Sequence, residues 1–424
     1  MERFDAVVVG AGPAGSVAAA VLAGGGARVL LLDRVGFPRD KACGDLLSPR
    51  AFGVLTDLGI ELVGAIPAGD MRLIGINGHE LLLPCPASKT LPVHGLAMPR
   101  MALDDALVKE ALRAGAAFRR GEVRTVGRLE QGRRVLELAD GGRVRTGFVI
   151  GADGAHTTIG ELGRLVAADE VIWAFALRYY VEAKVDLPTI VYLTVDETRP
   201  FPGYGWLFPG PQGCANLGVG VALGQTRTGA QLALRLVPRF VERLRALGML
   251  SGERLEARRG GWLKLALAGT TPARGGILLV GDAAALVNPL QGEGVAEAMM
   301  SGCAAAEAIL AGGSAEAAYR RYVSRVFADD YAANAAVHML MLDKPRLFGR
   351  IGNVLTQPLF ASALGPGWAI YWNQLTAEAA PGIGRTVAHL LSGTVDLATR
   401  RSAVRRRIHE RLKEECAPSG REAA

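Results

Sequence analysis

The stretch Phe4-Asp5-Ala6-Val7-Val8-Val9-Gly10-Ala11-Gly12-Pro13-Ala14-Gly15 predicts a buried strand, a glycine turn and the start of a helix. Gly24–Gly26 end that helix, and a second strand over Arg28–Leu32 runs directly into Asp33. Glycines permit a tight turn and a close backbone approach, and a helix N-terminus presents unpaired N–H groups to a pyrophosphate. Asp33 lies 18 residues after Gly15, where a carboxylate can accept hydrogen bonds from a ribose. The stretch therefore predicts a βαβ unit that binds a dinucleotide.

Two further parts of the chain differ in character from this unit. Residues 70–95 and 172–270 show strand-like alternation, which predicts an antiparallel sheet in a second domain. Later, a strand over Gly276–Val280 leads into a third glycine-containing turn and a helix that ends near Leu310, and the chain beyond Ala315 is mostly helical. The predicted fold class is α/β: a Rossmann-like nucleotide-binding domain with an inserted antiparallel-sheet substrate domain and a helical C-terminal region. The expected boundaries are 1–70, 96–170 and 271–330 for the first domain, 71–95 and 171–270 for the second, and 331–424 for the helical region.

The composition excludes several classes of protein. Of 424 residues, 50% are apolar and 21% are charged, which is ordinary for a globular chain and excludes a disordered or fibrous one. Five cysteines without a CxxC pair predict neither a disulfide framework nor a metal site. No charged segment precedes an apolar run at the N-terminus, so we expect no signal peptide. Residues 6–27 are uncharged, but Pro13 and six glycines interrupt them, so we expect a cytoplasmic protein without a transmembrane helix.

Most of the net charge of +7 lies near the C-terminus. Residues 400–415 hold seven Lys or Arg and three Glu, and Val404, Ile408 and Leu412 recur every four residues, which predicts a basic amphipathic helix. Such a helix either packs on the body of the protein with a solvated basic face, or docks on anionic lipid at the inner face of a membrane. We expect no nucleic-acid partner, because the chain contains no RNP1 sequence, helix-turn-helix pattern or zinc finger.

Three separated motifs resemble the FAD-binding signature of the flavoprotein monooxygenase and geranylgeranyl reductase superfamily. They are the loop Gly10–Gly15 with Asp33, the turn Gly151-Ala152-Asp153-Gly154, and the sequence Gly281-Asp282-Ala283-Ala284. The resemblance implies an FAD cofactor whose pyrophosphate lies near the first two motifs and whose ribityl side lies at Asp282. The second motif departs from the family pattern, because Gly160 stands where an arginine is usual, and this weakens any expectation of a nicotinamide contact there.

Two further motifs resemble those of the geranylgeranyl reductases. Lys41-Ala42-Cys43-Gly44-Asp45 is similar to their KPCG motif, and Tyr204-Gly205-Trp206-Leu207-Phe208-Pro209 followed by Gly218-Val219-Gly220 is similar to their YxWxFP and GxG pair. The CGD sequence together with the loop Asn288–Gly294 is similar to the actinobacterial menaquinone reductases in particular. Phe201 stands where the family often has a proline, and Pro202 follows it, which is a minor departure.

The resemblance implies three groups of site residues. The implied FAD contacts are Gly10, Gly12, Pro13, Ala14, Gly15, Asp33, Arg34, Cys43, Gly44, Arg100, Asp153, Gly154, Gly281, Asp282, Pro289, Gly292 and Gly294. The implied substrate contacts are Tyr204, Trp206, Phe208, Gly218 and Gly220. The implied catalytic residues are Cys43, Tyr204 and Trp206.

Several of these assignments have a structural alternative. Tyr204 and Trp206 lie two residues apart and so face the same side of a strand, where they form either an apolar wall for a polyene or two core aromatics. Cys43 is either a weak proton donor near the reacting alkene or a small buried apolar residue. Arg100 is either a flavin contact or an ordinary surface arginine.

The predicted function is an FAD-dependent reductase that saturates carbon–carbon double bonds in an isoprenoid, such as a geranylgeranyl, polyprenyl or menaquinone tail, by hydride transfer from reduced flavin. The alternative is an FAD-dependent hydroxylase, or less readily a halogenase, that acts on a natural product, because FAD motifs do not distinguish oxygen use from alkene reduction. A flavin-holding scaffold without activity is a third possibility. The expected electron donor is NAD(P)H or a small redox protein.

Overall fold

The computed structural model describes the chain except residues 76–77, 184–187, 193–202, 226–228, 253, 361–364, 366, 369–371, 373–381 and 415–424. The strands in chain order are β1 Glu2–Val9, β2 Val29–Asp33, β3 Leu46–Leu47, β4 Ile66–Ala68, β5 Met71–Ile74, β6 Glu80–Leu83, β7 Gly95–Ala97, β8 Ala117–Arg120, β9 Val123–Val126, β10 Arg134–Leu138, β11 Arg143–Gly151, β12 Ile172–Glu182, β13 Thr189–Tyr192, β14 Gly203–Pro209, β15 Cys214–Ala222, β16 Glu256–Leu265, β17 Ala273–Arg274 and β18 Ile277–Leu279. The α-helices are α1 Pro13–Gly24, α2 Pro49–Asp57, α3 Arg100–Arg113, α4 Thr158–Leu162, α5 Ala230–Ala246, α6 Val295–Leu310, α7 Ala315–Val323, α8 Asp329–Asp343, α9 Pro345–Leu355, α10 Ile383–Thr399 and α11 Ala403–Glu414. The proline departure at Phe201 and Pro202 lies outside the described residues.

The first sheet has eight strands and contains the predicted βαβ unit. Its order is β17-β18-β11-β1-β2-β8, and β10 and β9 continue from β11. Strand β1 pairs in parallel with both β2 and β11, and all five residues of β2 are buried, as in a parallel sheet covered on both faces. Because these strands are parallel, their carboxyl ends meet at one edge, where the glycine loop and Asp33 begin. The predicted βαβ unit is confirmed.

The second sheet has seven strands in the order β16-β12-β15-β14-β13-β5-β6. Its pairs are antiparallel except β13 with β5, which run parallel. The purely antiparallel prediction is wrong at this pair, because β5 comes from an earlier part of the chain and no hairpin turn sets its direction against β13. Helix α5 covers one face of this sheet with Leu236, Phe240 and Leu244, and the strand pattern did not indicate it.

The remaining elements close the molecule around these two sheets. A small third sheet joins β3, β7 and β4, and the described C-terminal residues are mostly helical, as predicted. Helix α9 begins at Pro345, since a proline at the first helical position lacks only an N–H that has no partner within the helix. Residues 6–27 lie in β1, the glycine loop, α1 and the turn after it, and no helix in the described part of the chain is long and apolar enough to cross a membrane. The Rossmann-like fold class is confirmed, and the domain boundaries stay a prediction.

Candidate functional site

A cavity of about 710 Å³ is lined by residues of both large sheets. This volume is typical of sites for small molecules and cofactors. Among the residues predicted to contact FAD, all but Gly15 and Gly281 line the cavity. Among the residues predicted to contact substrate, all but Gly218 line it. One cavity therefore brings together motifs that lie far apart in the sequence.

The glycine loop directs the N-terminus of α1 at this cavity. Gly12 is the N-cap residue of α1, and Pro13 follows at the first helical position. Gly10 has a φ of 102°, and a Cβ there would lie 2.2 Å from the carbonyl oxygen of Ala152, so glycine is required for the loop to meet the second motif. A Cβ on Gly15 would lie 1.8 Å from the carbonyl oxygen of Gly10. Gly15 therefore packs the helix against the loop instead of lining the cavity.

Asp33 fixes the glycine loop and still faces the cavity. Its Oδ2 accepts a hydrogen bond from the Ala11 N–H at 2.8 Å, and its Oδ1 accepts one from the Val35 N–H at 3.0 Å. Each carboxylate oxygen has a second lone pair, so Asp33 can also accept from ribose hydroxyls. Arg39, which the sequence did not indicate, lines the same region and lies 3.0 Å from the buried Asp104 carboxylate. Its guanidinium provides positive charge beside the loop, where a pyrophosphate is expected.

The second motif places a buried carboxyl group beside the loop. Asp153 Oδ2 accepts from the Ile159 N–H at 3.0 Å, whereas Oδ1 is buried with no partner among the described residues. Burial raises the pKa of Asp153, although hydrogen bonds from Thr157 and the Ile159 N–H oppose the rise. Gly160 is buried, and a Cβ there would lie 2.6 Å from Thr157 Cγ2. The departure at Gly160 thus has a packing cause, because this chain leaves no space for a side chain there.

The third motif and the loop after it form the opposite side of the cavity. Asp282 faces Lys41, with 3.8 Å between Oδ2 and Nζ, while Gly281 donates its N–H to Ser301 Oγ behind the cavity. Asn288 Oδ1 accepts the N–H groups of Leu290 and Gln291, and this Asx-type turn presents Pro289, Gly292 and Gly294 to the cavity. The buried His338 holds the loop in place, with Nδ1 3.0 Å from the Pro289 carbonyl oxygen and Nε2 2.8 Å from that of Leu223.

These groups fit FAD in their chemistry. The α1 N-terminus and Arg39 suit a pyrophosphate, Asp33 suits a ribose diol, and the unpartnered Oδ1 of Asp153 suits a hydroxyl or amide donor. The glycine positions leave the close backbone approach that a bound dinucleotide needs.

The wall of the cavity on the second sheet is aromatic. Tyr204, Trp206 and Phe208 alternate along β14 and face the same side, with neighbouring ring centroids 6.0 Å apart. Across the strand pair, Gly218 lies opposite Trp206, and a Cβ on it would lie 2.1 Å from the indole ring. Glycine on β15 therefore makes the space in which the indole lies flat against the sheet. The wall belongs to a buried cluster and also lines the cavity, so its contact with a substrate stays a prediction.

A buried polar network holds the edge of this aromatic wall. Trp206 Nε1 donates to Asn216 Oδ1 at 2.9 Å, and Asn216 Nδ2 donates to Asp45 Oδ2 at 2.8 Å. Tyr180 donates its hydroxyl to the same Asp45 oxygen at 2.6 Å, and the Arg100 N–H donates to Oδ1 at 3.1 Å. Burial raises the pKa of both Asp45 and Tyr180. The indole N–H and the Tyr204 hydroxyl, which donates to the Gln291 carbonyl oxygen at 2.5 Å, are both bonded within the protein.

Arg100 and Cys43 lie beside this network. Arg100 is 5% exposed and donates to both oxygens of Asp104, at 2.8 and 2.9 Å, so the surface-arginine alternative is wrong. Cys43 is half-buried and lines the cavity, and its carbonyl oxygen accepts from Asn216 Nδ2 at 2.8 Å. Burial raises the pKa of the Cys43 thiol although the Arg100 charge opposes the rise, so the thiol keeps its proton at neutral pH.

Sequence reasoning missed several residues of the site. Asp45 had a signal, as the last residue of the CGD sequence, and Asn216 had one, since it shares a strand face with Gly218. Arg39, Tyr180 and His338 had no local signal, because their partners come from distant elements.

Comparison with known proteins is consistent with this geometry. A family model described as an FAD binding domain matches residues 3–182, which supports the predicted FAD cofactor. A menaquinone reductase of Mycolicibacterium smegmatis is 36% identical over 375 residues, covering 86% of this chain and 87% of the relative. Digeranylgeranylglycerophospholipid reductase 1 of Methanopyrus kandleri is 35% identical over 316 residues, covering 72% of this chain and 80% of the relative. The crystal structure of a geranylgeranyl bacteriochlorophyll reductase-like protein from Thermoplasma acidophilum shares the fold, with a TM-score of 0.67, 23% identity and coverage of 97% of this chain and 100% of that one. The chain therefore belongs to the geranylgeranyl reductase family of FAD-dependent oxidoreductases.

Proposed function

We propose that this protein reduces carbon–carbon double bonds in the isoprenoid tail of a lipid quinone of the menaquinone type. The observation that carries the proposal is that the aromatic wall Tyr204, Trp206 and Phe208 lines the same cavity as the FAD motifs. An isoprenoid tail is a polyene without polar groups, and a wall of ring faces whose N–H and O–H groups are bonded internally matches it. The 36% identical relative is named for menaquinone, which supports the choice of substrate.

The protein contributes orientation, exclusion of water and a proton. When bound, FAD supplies the hydride for the reaction. The aromatic wall and the loop around Gly292 hold the tail, and the buried Asp45 and Asn216 keep the indole in position. No general base is needed, because an alkene carries no proton that must be removed before it is reduced.

Each reduced double bond takes up one proton as well as one hydride. Tyr204 donates its hydroxyl proton to the Gln291 carbonyl oxygen, so that proton already has an acceptor within the protein. Asp45 accepts hydrogen bonds from three donors and lies behind the wall, which suits a positioning role. Cys43 lines the cavity as a protonated thiol, and we assign it as the proton donor to the alkene carbon, regenerated by a proton from solvent. Arg100 lies beside it and would stabilise the thiolate that forms.

The test uses chemically reduced holoenzyme and a menaquinone with an unsaturated tail, incubated without oxygen. Mass spectrometry should show products that have gained two hydrogens for each bond reduced. In heavy water, both added hydrogens should be deuterium, because the N–H that supplies the hydride in reduced flavin exchanges with solvent. The proposal is refuted if hydrogenated products do not form. An oxygenated product that forms only in air would favour the hydroxylase alternative. NAD(P)H and small redox proteins can be compared as electron donors in the same assay.

Cys43 can be tested separately with a matched cysteine variant. We expect Cys43→Ala to retain FAD and to lose at least tenfold in tail reduction, because general acid catalysis contributes on that order or more. Cys303→Ala is the control, since Cys303 is also half-buried and has a raised pKa of about 12 but does not line the cavity. Equal activity of the two variants would remove Cys43 from the mechanism.

A further inference from the structure

The basic C-terminal helix does not offer an apolar face to a membrane. Helix α11 buries Ile408 and Leu412 against the body of the protein, where they are 3% and 7% exposed. Arg411 lies 2.7 Å from Glu170, and Arg405 pairs with Asp396. Of the two alternatives for this helix, the structure therefore favours packing on the body, and its outward basic residues lack an apolar stripe beside them.

Helix α9, unlike α11, exposes apolar side chains along one face. Leu347, Ile351 and Val354 recur at the spacing of one helix face and are 50%, 43% and 51% exposed. Leu359, just beyond the helix, is 84% exposed. Three neighbouring apolar side chains on one helix face are more than the scattered apolar residues that a solvated surface normally carries. We call Leu347, Ile351, Val354 and Leu359 the α9 surface.

The charged residues within helix α9 are both basic, and the exposed Asp343 lies just before it, next to Lys344. Arg346 and Arg350 form a row directly beside the apolar stripe, and Lys344 precedes the helix; all three are exposed. No acidic residue occurs within Pro345–Leu355. An amphipathic helix with an apolar stripe and a flanking basic row is the pattern that lies in the interfacial layer of a bilayer containing anionic lipid. A symmetric contact with a second copy would instead bring the two arginine rows together.

The α9 surface follows in the chain from a helix that lines the cavity. Helix α9 follows α8 after Lys344, and the last two turns of α8 place His338 and Met341 in the cavity lining. Leu340, next to Met341, is 37% exposed on the outside. The same helix end therefore contacts the cavity on one side and leads into the exposed stripe on the other.

We propose that the α9 surface docks this protein on a bilayer rich in anionic lipid and positions the cavity for a lipid tail. The proposal rests on the proposed function for its substrate, but the docking itself requires no turnover. The apolar side chains would enter the interfacial layer, and Lys344, Arg346 and Arg350 would lie at the level of the lipid phosphates.

Binding to vesicles tests the proposal without substrate. Holoenzyme is sedimented with vesicles of phosphatidylcholine alone, or of phosphatidylcholine with one third phosphatidylglycerol. Arg346→Gln with Arg350→Gln should weaken partitioning to the anionic vesicles about 30-fold, since each basic residue contributes about 1 kcal/mol near such a surface. The control changes two other exposed arginines to glutamine, Arg401 just before α11 and Arg407 on it, and should have a markedly smaller effect.

A second pair of variants tests the apolar stripe. Leu347→Gln with Ile351→Gln should weaken binding about tenfold or more on both kinds of vesicle. Leu112→Gln with Leu129→Gln is the control, since those leucines are 44% and 45% exposed on other elements. Three results would each overturn the proposal. They are loss of binding in the Arg401 and Arg407 variant alone, absence of binding by the unaltered protein, and a dimer that the Leu347 and Ile351 variant dissociates. Reduction of detergent-dispersed menaquinone by every variant measures the proposed function separately, so the two failures are distinguishable.

Discussion

A single methyl group added at Gly218 tests how the aromatic wall is held. The Cβ of Gly218→Ala would lie 2.1 Å from Trp206 Cζ2 and 2.5 Å from Cε2, whereas ordinary contacts begin at 3.4 Å. The indole must therefore move by more than about 1 Å, in surroundings where Trp206 is only 5% exposed. Overpacking of this kind costs about 1–3 kcal/mol.

The displacement also breaks a buried hydrogen bond. Trp206 Nε1 donates to Asn216 Oδ1, and Asn216 is 1% exposed, so the oxygen would find no water to replace the indole. An unsatisfied buried acceptor costs about 1–3 kcal/mol more. We therefore expect Gly218→Ala to lower the free energy of unfolding by about 2–6 kcal/mol. Tail reduction should fall as well, because Gly218 supports the Trp206 ring that lines the cavity, while FAD should be retained because the Gly10 loop and Asp33 lie on the other large sheet.

Gly220→Ala is the matched control for this change. Gly220 lies two residues further along β15, opposite Tyr204, and a Cβ there would have its nearest neighbour at 3.7 Å, which is ordinary contact. Gly220→Ala should raise the free energy of unfolding of the protein by less than about 1 kcal/mol, since glycine is disfavoured inside a strand. Urea unfolding of both variants, with FAD content measured at each stage, gives the comparison. Equal midpoints for the two variants would refute the steric explanation of the GxG motif.

Three further predictions concern the FAD loop, the buried arginine and pH. Gly10→Ala should abolish FAD retention, because the new Cβ would lie 2.2 Å from the Ala152 carbonyl oxygen. Gly26→Ala is the control and should retain FAD, since Gly26 also has a positive φ but open space around it. Absorbance after desalting measures the FAD that each variant retains. Arg100→Gln should lower the free energy of unfolding in urea by about 1–3 kcal/mol, since Asp104 loses one buried hydrogen-bond partner while Arg39 remains 3.0 Å away. Arg113→Gln on the same helix, where the ion pair is exposed, should have a much smaller effect. Burial and the nearby Glu293 raise the pKa of Glu297 to about 8, so the folded state keeps a proton that the unfolded state releases near pH 4.5. Stability should therefore fall between about pH 5 and pH 8 by up to about 1.4 kcal/mol per pH unit, and Glu297→Gln should flatten that slope in thermal melts at several pH values.

The parts of the site that sequence could predict are those set by local geometry. The loop at Gly10 can be predicted from sequence because a positive φ and a close backbone approach both require glycine, and the glycines concerned lie within one short segment. The aromatic wall can be predicted because alternation along β14 puts Tyr204, Trp206 and Phe208 on one face. The hydrogen-bond partners of Asp45 cannot be predicted from sequence, because Tyr180 and Asn216 lie on strands more than 130 residues away. The same limit applies to α11, whose basic periodicity left packing on the body and docking on lipid both open, because the burial of Ile408 depends on which surface the helix meets.

The packing of Trp206 explains why two motifs so distant in sequence belong together. The indole lies against Gly218 on β15, and its N–H edge lies near Gly44, where a Cβ would be 3.4 Å from Nε1 and 2.9 Å from the Phe208 ring. A side chain at either glycine would push the rings of the wall from their positions. The backbone of the CGD loop and the GxG strand thus confine the indole together, and Asn216 joins them by bonding the indole, the Cys43 carbonyl oxygen and Asp45. Because the predicted proton donor and the wall share this one asparagine, we expect a shift of Trp206 to displace the Cys43 backbone as well.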